Sequence, residues 1–108
     1  MIIDFEKLPE IEVKNHFGGE GSMFNRAYMD EANAIVRGII PPGTTSGYHV
    51  HEKGCEIMYV LRGSLLFKYD DGEERVSEGQ VHYCPAGHYH QMFNDTDKDC
   101  EFFSVVVK

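Results

Sequence analysis

From Ser22 onward the chain is a series of short apolar-rich segments, each closed by Gly, Pro, Asn or Asp, and this pattern predicts strands joined by tight turns. Met23 to Met29 is the first, followed by the polar connection Asp30 to Asn33. Ala34 to Ile40 is strongly apolar and is stopped by Pro41-Pro42-Gly43. A segment holding His49 and His51 comes next, then Glu56 to Leu61, turned at Arg62-Gly63. Leu65 to Tyr69 and Glu73 to Val76 flank Asp70-Asp71-Gly72, whose Asp-Gly pair signals a tight hairpin. Gln80 to Cys84 precedes Pro85-Ala86-Gly87, and Tyr89 to Phe93 follows it. After the charged loop Asn94 to Asp99, Glu101 to Val107 closes the chain as a β-branched and aromatic strand. In residues 1 to 21, Ile2, Phe5, Leu8, Ile11 and Val13 could cover one face of a leading strand or strap, which Gly18, Gly19 and Gly21 then break.

No window carries a sustained helical stripe, so the expected class is all-β, a sandwich or barrel of about eight to ten antiparallel strands. A sheet of that many strands in 108 residues must roll up to bury one face and hide its edges. Ile57 to Leu61 and Val105 to Val107 are apolar on both faces, which predicts a second buried surface, most simply a homodimer interface.

Composition narrows the function classes. The length fits one domain spanning residues 1 to 108, and 42% apolar with 26% charged residues is ordinary for a folded protein. A formal charge of −8, with no basic run, argues against nucleic acid, where binding begins with Lys and Arg on phosphates. No stretch is long and apolar enough for a membrane span and the first residues are acidic, so the expected compartment is the cytoplasm. Cys55, Cys84 and Cys100 are odd in number and lack framework spacing, as expected of free thiols. Cys55, directly before Glu56, is placed to lie near whatever Glu56 binds.

His49 and His51 are two apart, so in a strand they project to one face while Tyr48 and Val50 project to the other. A short turn at Glu52 to Cys55 can return Glu56 beside them. His90, just after a Pro-x-Gly turn, enters from another strand. Three neutral imidazoles and one carboxylate suit Fe, Mn, Ni, Cu or Zn, not Ca. With a divalent ion the site would carry about one positive charge, and an octahedral ion would keep two positions free for a substrate. A tetrahedral Zn would be saturated, so Fe, Mn and Ni rank first.

These positions carry a resemblance. The chain resembles the cupin superfamily, whose first motif spaces Gly, His-x-His, Glu and Gly as Gly43, His49, His51, Glu56 and Gly63 stand here (residues 43 to 63). The second motif is matched by Gly79, Pro85, Gly87, His90 and Asn94 (residues 79 to 94). All ten fixed positions agree. The resemblance implies a double-stranded β-helix, a jelly-roll barrel of antiparallel strands, commonly a homodimer, with His49, His51, Glu56 and His90 as metal ligands. It also implies enzymes such as metal-dependent dioxygenases and sugar or keto-acid isomerases, or non-catalytic sensor or storage proteins, with a small molecule as substrate or ligand.

Around that set, Met58 shares a face with Glu56 and Met92 with His90, making both candidates to line a pocket, with core filling the alternative. Glu56 is also a candidate catalytic base. Tyr83 and Arg37 are candidates for orienting a substrate, Arg37 having a solvated outer position as the alternative. His88 is read as a rim residue or a partner of a ligand. His82, alternating with Val81 and Tyr83, is assigned to solvent, His16 is given no role, and Asp70 to Glu74 is taken for a solvated hairpin tip.

Overall fold

The computed structural model describes all 108 residues and contains ten strands, β1 (Ile11–Lys14), β2 (Ser22–Met29), β3 (Asn33–Ile40), β4 (His49–Val50), β5 (Cys55–Arg62), β6 (Ser64–Tyr69), β7 (Gly72–Ser77), β8 (Val81–Cys84), β9 (Tyr89–Phe93) and β10 (Cys100–Val107). Two sheets hold them, a six-stranded one in the order β1-β2-β3-β10-β5-β8 and a four-stranded one in the order β4-β9-β6-β7. Every pairing is antiparallel. The inner faces enclose a core of Ile40, Val60, Leu65, Phe67, Val76 and Phe102, with Met23, Met58, Met92 and Cys100 filling between them. No helix is long and apolar enough to cross a membrane.

The strand boundaries follow the sequence pattern closely, because each segment ends where the chain must reverse. Gly63 joins β5 to β6 at φ 85°, and a Cβ there would come within 2.8 Å of the Asp99 carbonyl, so only glycine turns the chain at this point. Gly87, at φ 83°, makes the turn before β9. The N-terminal strap resolves into the short strand β1 and two single 3-10 turns, Phe5–Lys7 and His16–Gly18.

The Gly43–His51 stretch and the Tyr89–Asn94 stretch run alongside each other. The Gly43 N–H donates to the Asn94 carbonyl and the Asn94 N–H to the Thr44 carbonyl, the Ser46 N–H donates to the Met92 carbonyl, and the Gly87 N–H donates to the His51 carbonyl. Between them His49 stands opposite His90 and Val50 opposite Tyr89. Asn94 anchors one end of this zipper. Its buried amide donates to the Ile40 and Lys98 carbonyls at 2.8 and 2.9 Å and accepts from the Thr96 N–H and hydroxyl. Asn94→Ala is therefore expected to destabilise the fold by about 2 kcal/mol, since it strands buried partners, a loss that urea denaturation would measure.

Parity leaves an apolar outer surface on the larger sheet. Ile57 pairs with Val105 and Tyr83, and Tyr59 with Phe103 and Val81. Tyr83 is 53% exposed there, which removes it from the candidates for contacting a ligand inside the barrel. Arg37 is corrected in the same way. It shares the outer face of β3 with Ile35 and Ile39 and is held by Glu101 and Glu6. The alternation of an eight-residue strand that keeps Val36 and Gly38 inward sends Arg37 out.

Candidate metal centre

The barrel brings His49, His51 and His90 together, with one ring nitrogen of each within 4.8 Å of the other two. His90 is 1% exposed and the other two are half-buried. β4 is only two residues long, so His51 lies just beyond it, and its position is set by the Gly87-to-His51 backbone bond. Co-facial projection of His49 and His51 holds, with their ring centroids 5.2 Å apart. Tyr48, on the other side, stacks outside on Tyr89.

Glu56, the second residue of β5, points inward beside them. Its carboxylate is 3.7 Å from His90 Nε2, close to the three histidines but outside their tight grouping. Burial alone pushes its carboxyl up to about 7. A cation beside it would reverse that shift by favouring the ionised form.

The hydrogen bonds fix which nitrogens carry protons. His49 Nδ1 lies 2.8 Å from the Gly47 carbonyl, which only accepts, so Nδ1 bears the proton and Nε2 a lone pair. His90 Nδ1 lies 3.0 Å from His82 Nε2, and His82 Nδ1 lies 2.6 Å from the Glu74 carboxylate. Burial lowers the pKa of His82, keeping it neutral with a single proton. That proton must face Glu74. His82 Nε2 then accepts from His90 Nδ1–H, and His90 Nε2 also bears a lone pair.

These two lone pairs face each other at 2.8 Å. Burial lowers the pKa of His49 and His51, and burial together with its histidine neighbours takes His90 down to about 3, so no proton bridges them near neutral pH. His51 Nε2 is buried with no partner at all. Neutral imidazoles converging their lone pairs on one point are a donor set for a cation. By this test the three histidines fit a transition metal, with the Glu56 carboxylate beside them.

His82, Cys84 and His90 form a second close group. Here the nitrogens of His82 are already engaged by Glu74 and His90, and burial pushes the Cys84 thiol up to about 11, so this group holds hydrogen bonds together. His82 is fully buried, which overturns its assignment to solvent. Register with β5 explains why: His82 stands opposite Met58 and Cys84 opposite Glu56, so both share the inward face while Val81 and Tyr83 face out. Glu74 is likewise no mere hairpin-tip acid, and Asp70 is held by the Tyr89 N–H and by His88. That contact draws His88 away. It pairs with Asp70 and stacks on Tyr69, outside the cavity, so it is neither a ligand nor a pocket residue. Cys55, opposite Val107, is on the outer face, away from Glu56.

Metal-ligating histidines depend on such outer partners for tautomer and aim. His82→Leu is expected to weaken divalent-metal binding by about 10–100-fold. Glu74→Gln keeps an accepting oxygen and should retain most of the affinity. Calorimetry with Ni(II) measures both, and nitrogen-15 imidazole shifts report the His90 tautomer directly.

A cavity of ≈ 200 Å³ opens beside the histidines, and Met58 and Met92 both line it while belonging to the core, so the two readings of these residues hold together. His16 and Phe17 add what sequence reasoning passed over. His16 lines the cavity, and Phe17 stacks on His49 at 3.9 Å between ring centroids. The strap is held by the Gly47-to-His16 backbone bond, and any Cβ on Gly47 would collide with the Phe17 carbonyl. Only the bare glycine at 47 signals that approach in the sequence.

Comparison with known proteins agrees with this architecture. The cupin domain model matches residues 36–106. The oxalate-binding protein of Thermotoga maritima is 28% identical over 114 residues, covering 99% of this chain and 93% of that protein. A Thermotoga maritima crystal structure described as a predicted oxalate decarboxylase aligns with a TM-score of 0.90 at 26% identity, covering 99% of this chain and 98% of the other. The polyketide cyclase RemF of Streptomyces resistomycificus aligns at 0.80 and 20% identity, covering 99% of this chain and 78% of its own, a likeness of fold alone.

Proposed function

Because this chain belongs to the cupin domain family, we propose that it holds one divalent transition metal through His49, His51, His90 and Glu56, and uses it on a small oxygenated organic molecule. The observation that carries the reading is the pair of Nε2 lone pairs facing each other at 2.8 Å beside the orphaned His51 Nε2. Fe, Mn or Ni suits three imidazoles and a carboxylate with room for a substrate, and Zn or Cu is the next choice. When bound, the ion supplies Lewis-acid or redox chemistry at the substrate's oxygen atoms.

The chain's own residues do the rest. His82 and Gly47 hold two of the imidazoles in the tautomer that offers Nε2 inward. The apolar walls keep water from the substrate. Glu56, buried beside His90 and lining the cavity, would take a proton from a substrate carbon or hydroxyl as well as bind the ion.

Metal analysis of protein purified without chelator tests this first, with about one equivalent of Fe, Mn or Ni expected. Failure to retain or take up any of Fe, Mn, Ni, Cu or Zn would sink the proposal. Oxygen-consumption and isomerase screens on the loaded protein follow. Stoichiometric metal with no turnover on any substrate would leave a metal- or ligand-binding protein. We also propose that the uncharged outer patch of Ile57, Tyr59, Val81, Tyr83 and Val105 pairs two copies. Sedimentation should then show a dimer that Tyr83→Glu dissociates.

A further inference from the structure

Strand alternation sends the cations of the larger sheet away from the cavity. Arg26 and Arg37 stand opposite one another on β2 and β3. Arg26 donates to the Leu8 carbonyl at 2.6 Å, and Arg37 is held by Glu101, both on the outer surface. Their inward neighbours Asn25 and Val36 line the cavity instead. None of the 10 Lys and Arg residues of the chain is among the 15 residues lining it.

Away from the histidines the walls are carbon, from Ala34, Val36, Phe102 and Val106, with Asn25 and Ser104 as polar points. Asn25 Oδ1 is buried and has no partner. Its carboxamide packs against Gly38, where a Cβ would come within 2.2 Å of Oδ1 and 2.8 Å of the Phe102 ring. That oxygen is closed off between Gly38 and Phe102, so a bound molecule meets apolar surface and no positive side chain.

We propose that this cavity selects a singly charged carboxylic acid with a short apolar body, and discriminates against a dianion such as oxalate. The inference rests on the metal-binding reading above. A divalent ion with three neutral imidazoles and one ionised carboxylate leaves one positive charge, which one ligand carboxylate cancels. A second carboxylate leaves a negative charge facing apolar walls, which is unfavourable without a cation to pair it. Carbon atoms against Ala34, Val36 and Val106 gain from leaving water.

Calorimetric titration of Ni(II)-loaded protein with 2-hydroxy-4-methylpentanoate, lactate and oxalate tests this. Each affinity is divided by the same ligand's affinity for aqueous Ni(II), which isolates the contribution of the walls. That ratio is expected to be about tenfold or more higher for 2-hydroxy-4-methylpentanoate than for lactate, and lowest for oxalate. Ala34→Leu, which narrows the apolar end, should remove the tail's advantage and so bring the two ratios together, with thermal unfolding confirming an intact fold. An oxalate ratio equal to or above the other two, or no gain from the tail, overturns the inference while the metal reading stands. If the protein takes up no Ni(II), or the ligands bind equally to metal-free protein, the metal reading falls and takes this inference with it.

Discussion

Replacing His90 by alanine is expected to lower divalent-metal affinity by roughly a hundredfold or more, as one ligand's share of a site of this kind. His90 is the member on which both parts of the arrangement depend. It stands opposite His49 in register, turns Nε2 toward His49 Nε2, and gives its Nδ1–H to His82. Alanine removes the donor and strands His82 Nε2 in the core, so the metal-free variant should also lose about 2 kcal/mol of stability. Calorimetry with Ni(II) and urea denaturation in the presence of chelator separate the two losses. Tyr83→Ala serves as the control, because a side chain on the outer face should leave the affinity within about twofold. Unchanged metal binding in His90→Ala would show that the converging lone pairs are not the site.

Much of this centre was readable before any coordinates because cupin spacing and strand parity constrain the same residues. The two-residue period makes His49 and His51 co-facial, and the turn glycines mark where strands reverse, so both the fold and the three histidines follow from the pattern. What could not be read is which face of each remaining strand points inward. Val81 and Tyr83 are more apolar than His82, and set against that histidine alone they belong inside. The β5–β8 register reverses this by placing His82 opposite Met58, and the outer apolar residues become surface. Arg37 fails for the same reason in the other direction. His16 and Phe17 were illegible on different grounds: they reach the site through a strap with left-handed backbone at Asn15 and Phe17, where no periodicity operates.

Replacing Glu56 by glutamine is expected to have opposite effects on the metal-free and metal-loaded protein. Burial raises this carboxyl from 4.5 to about 7, so between those values the folded chain keeps a proton that the unfolded chain has lost. Stability contributed by the neutral form is complete below 4.5 and is lost as pH rises to 7, about 3 kcal/mol in all for a shift of that size. His90 works in the other direction. Held near 3 when folded, it resists a proton that the unfolded chain accepts below 6.5, so its term is lost as pH falls from 6.5 toward 3. The two slopes oppose each other between 4.5 and 6.5 and flatten the wild-type profile there. Glutamine cancels only the first. Metal-free Glu56→Gln should therefore match the wild type near pH 4.5 and exceed it by up to about 3 kcal/mol at pH 8. With metal added the order should reverse, because ligand linkage stabilises whichever chain binds more tightly. Urea denaturation at pH 4.5 and pH 8, with chelator and with Ni(II), gives all four values. A pH-independent difference would mean that Glu56 does not titrate in the fold. The reversal itself would mean that a carboxylate unfavourable to the empty barrel is kept there for the ion it binds.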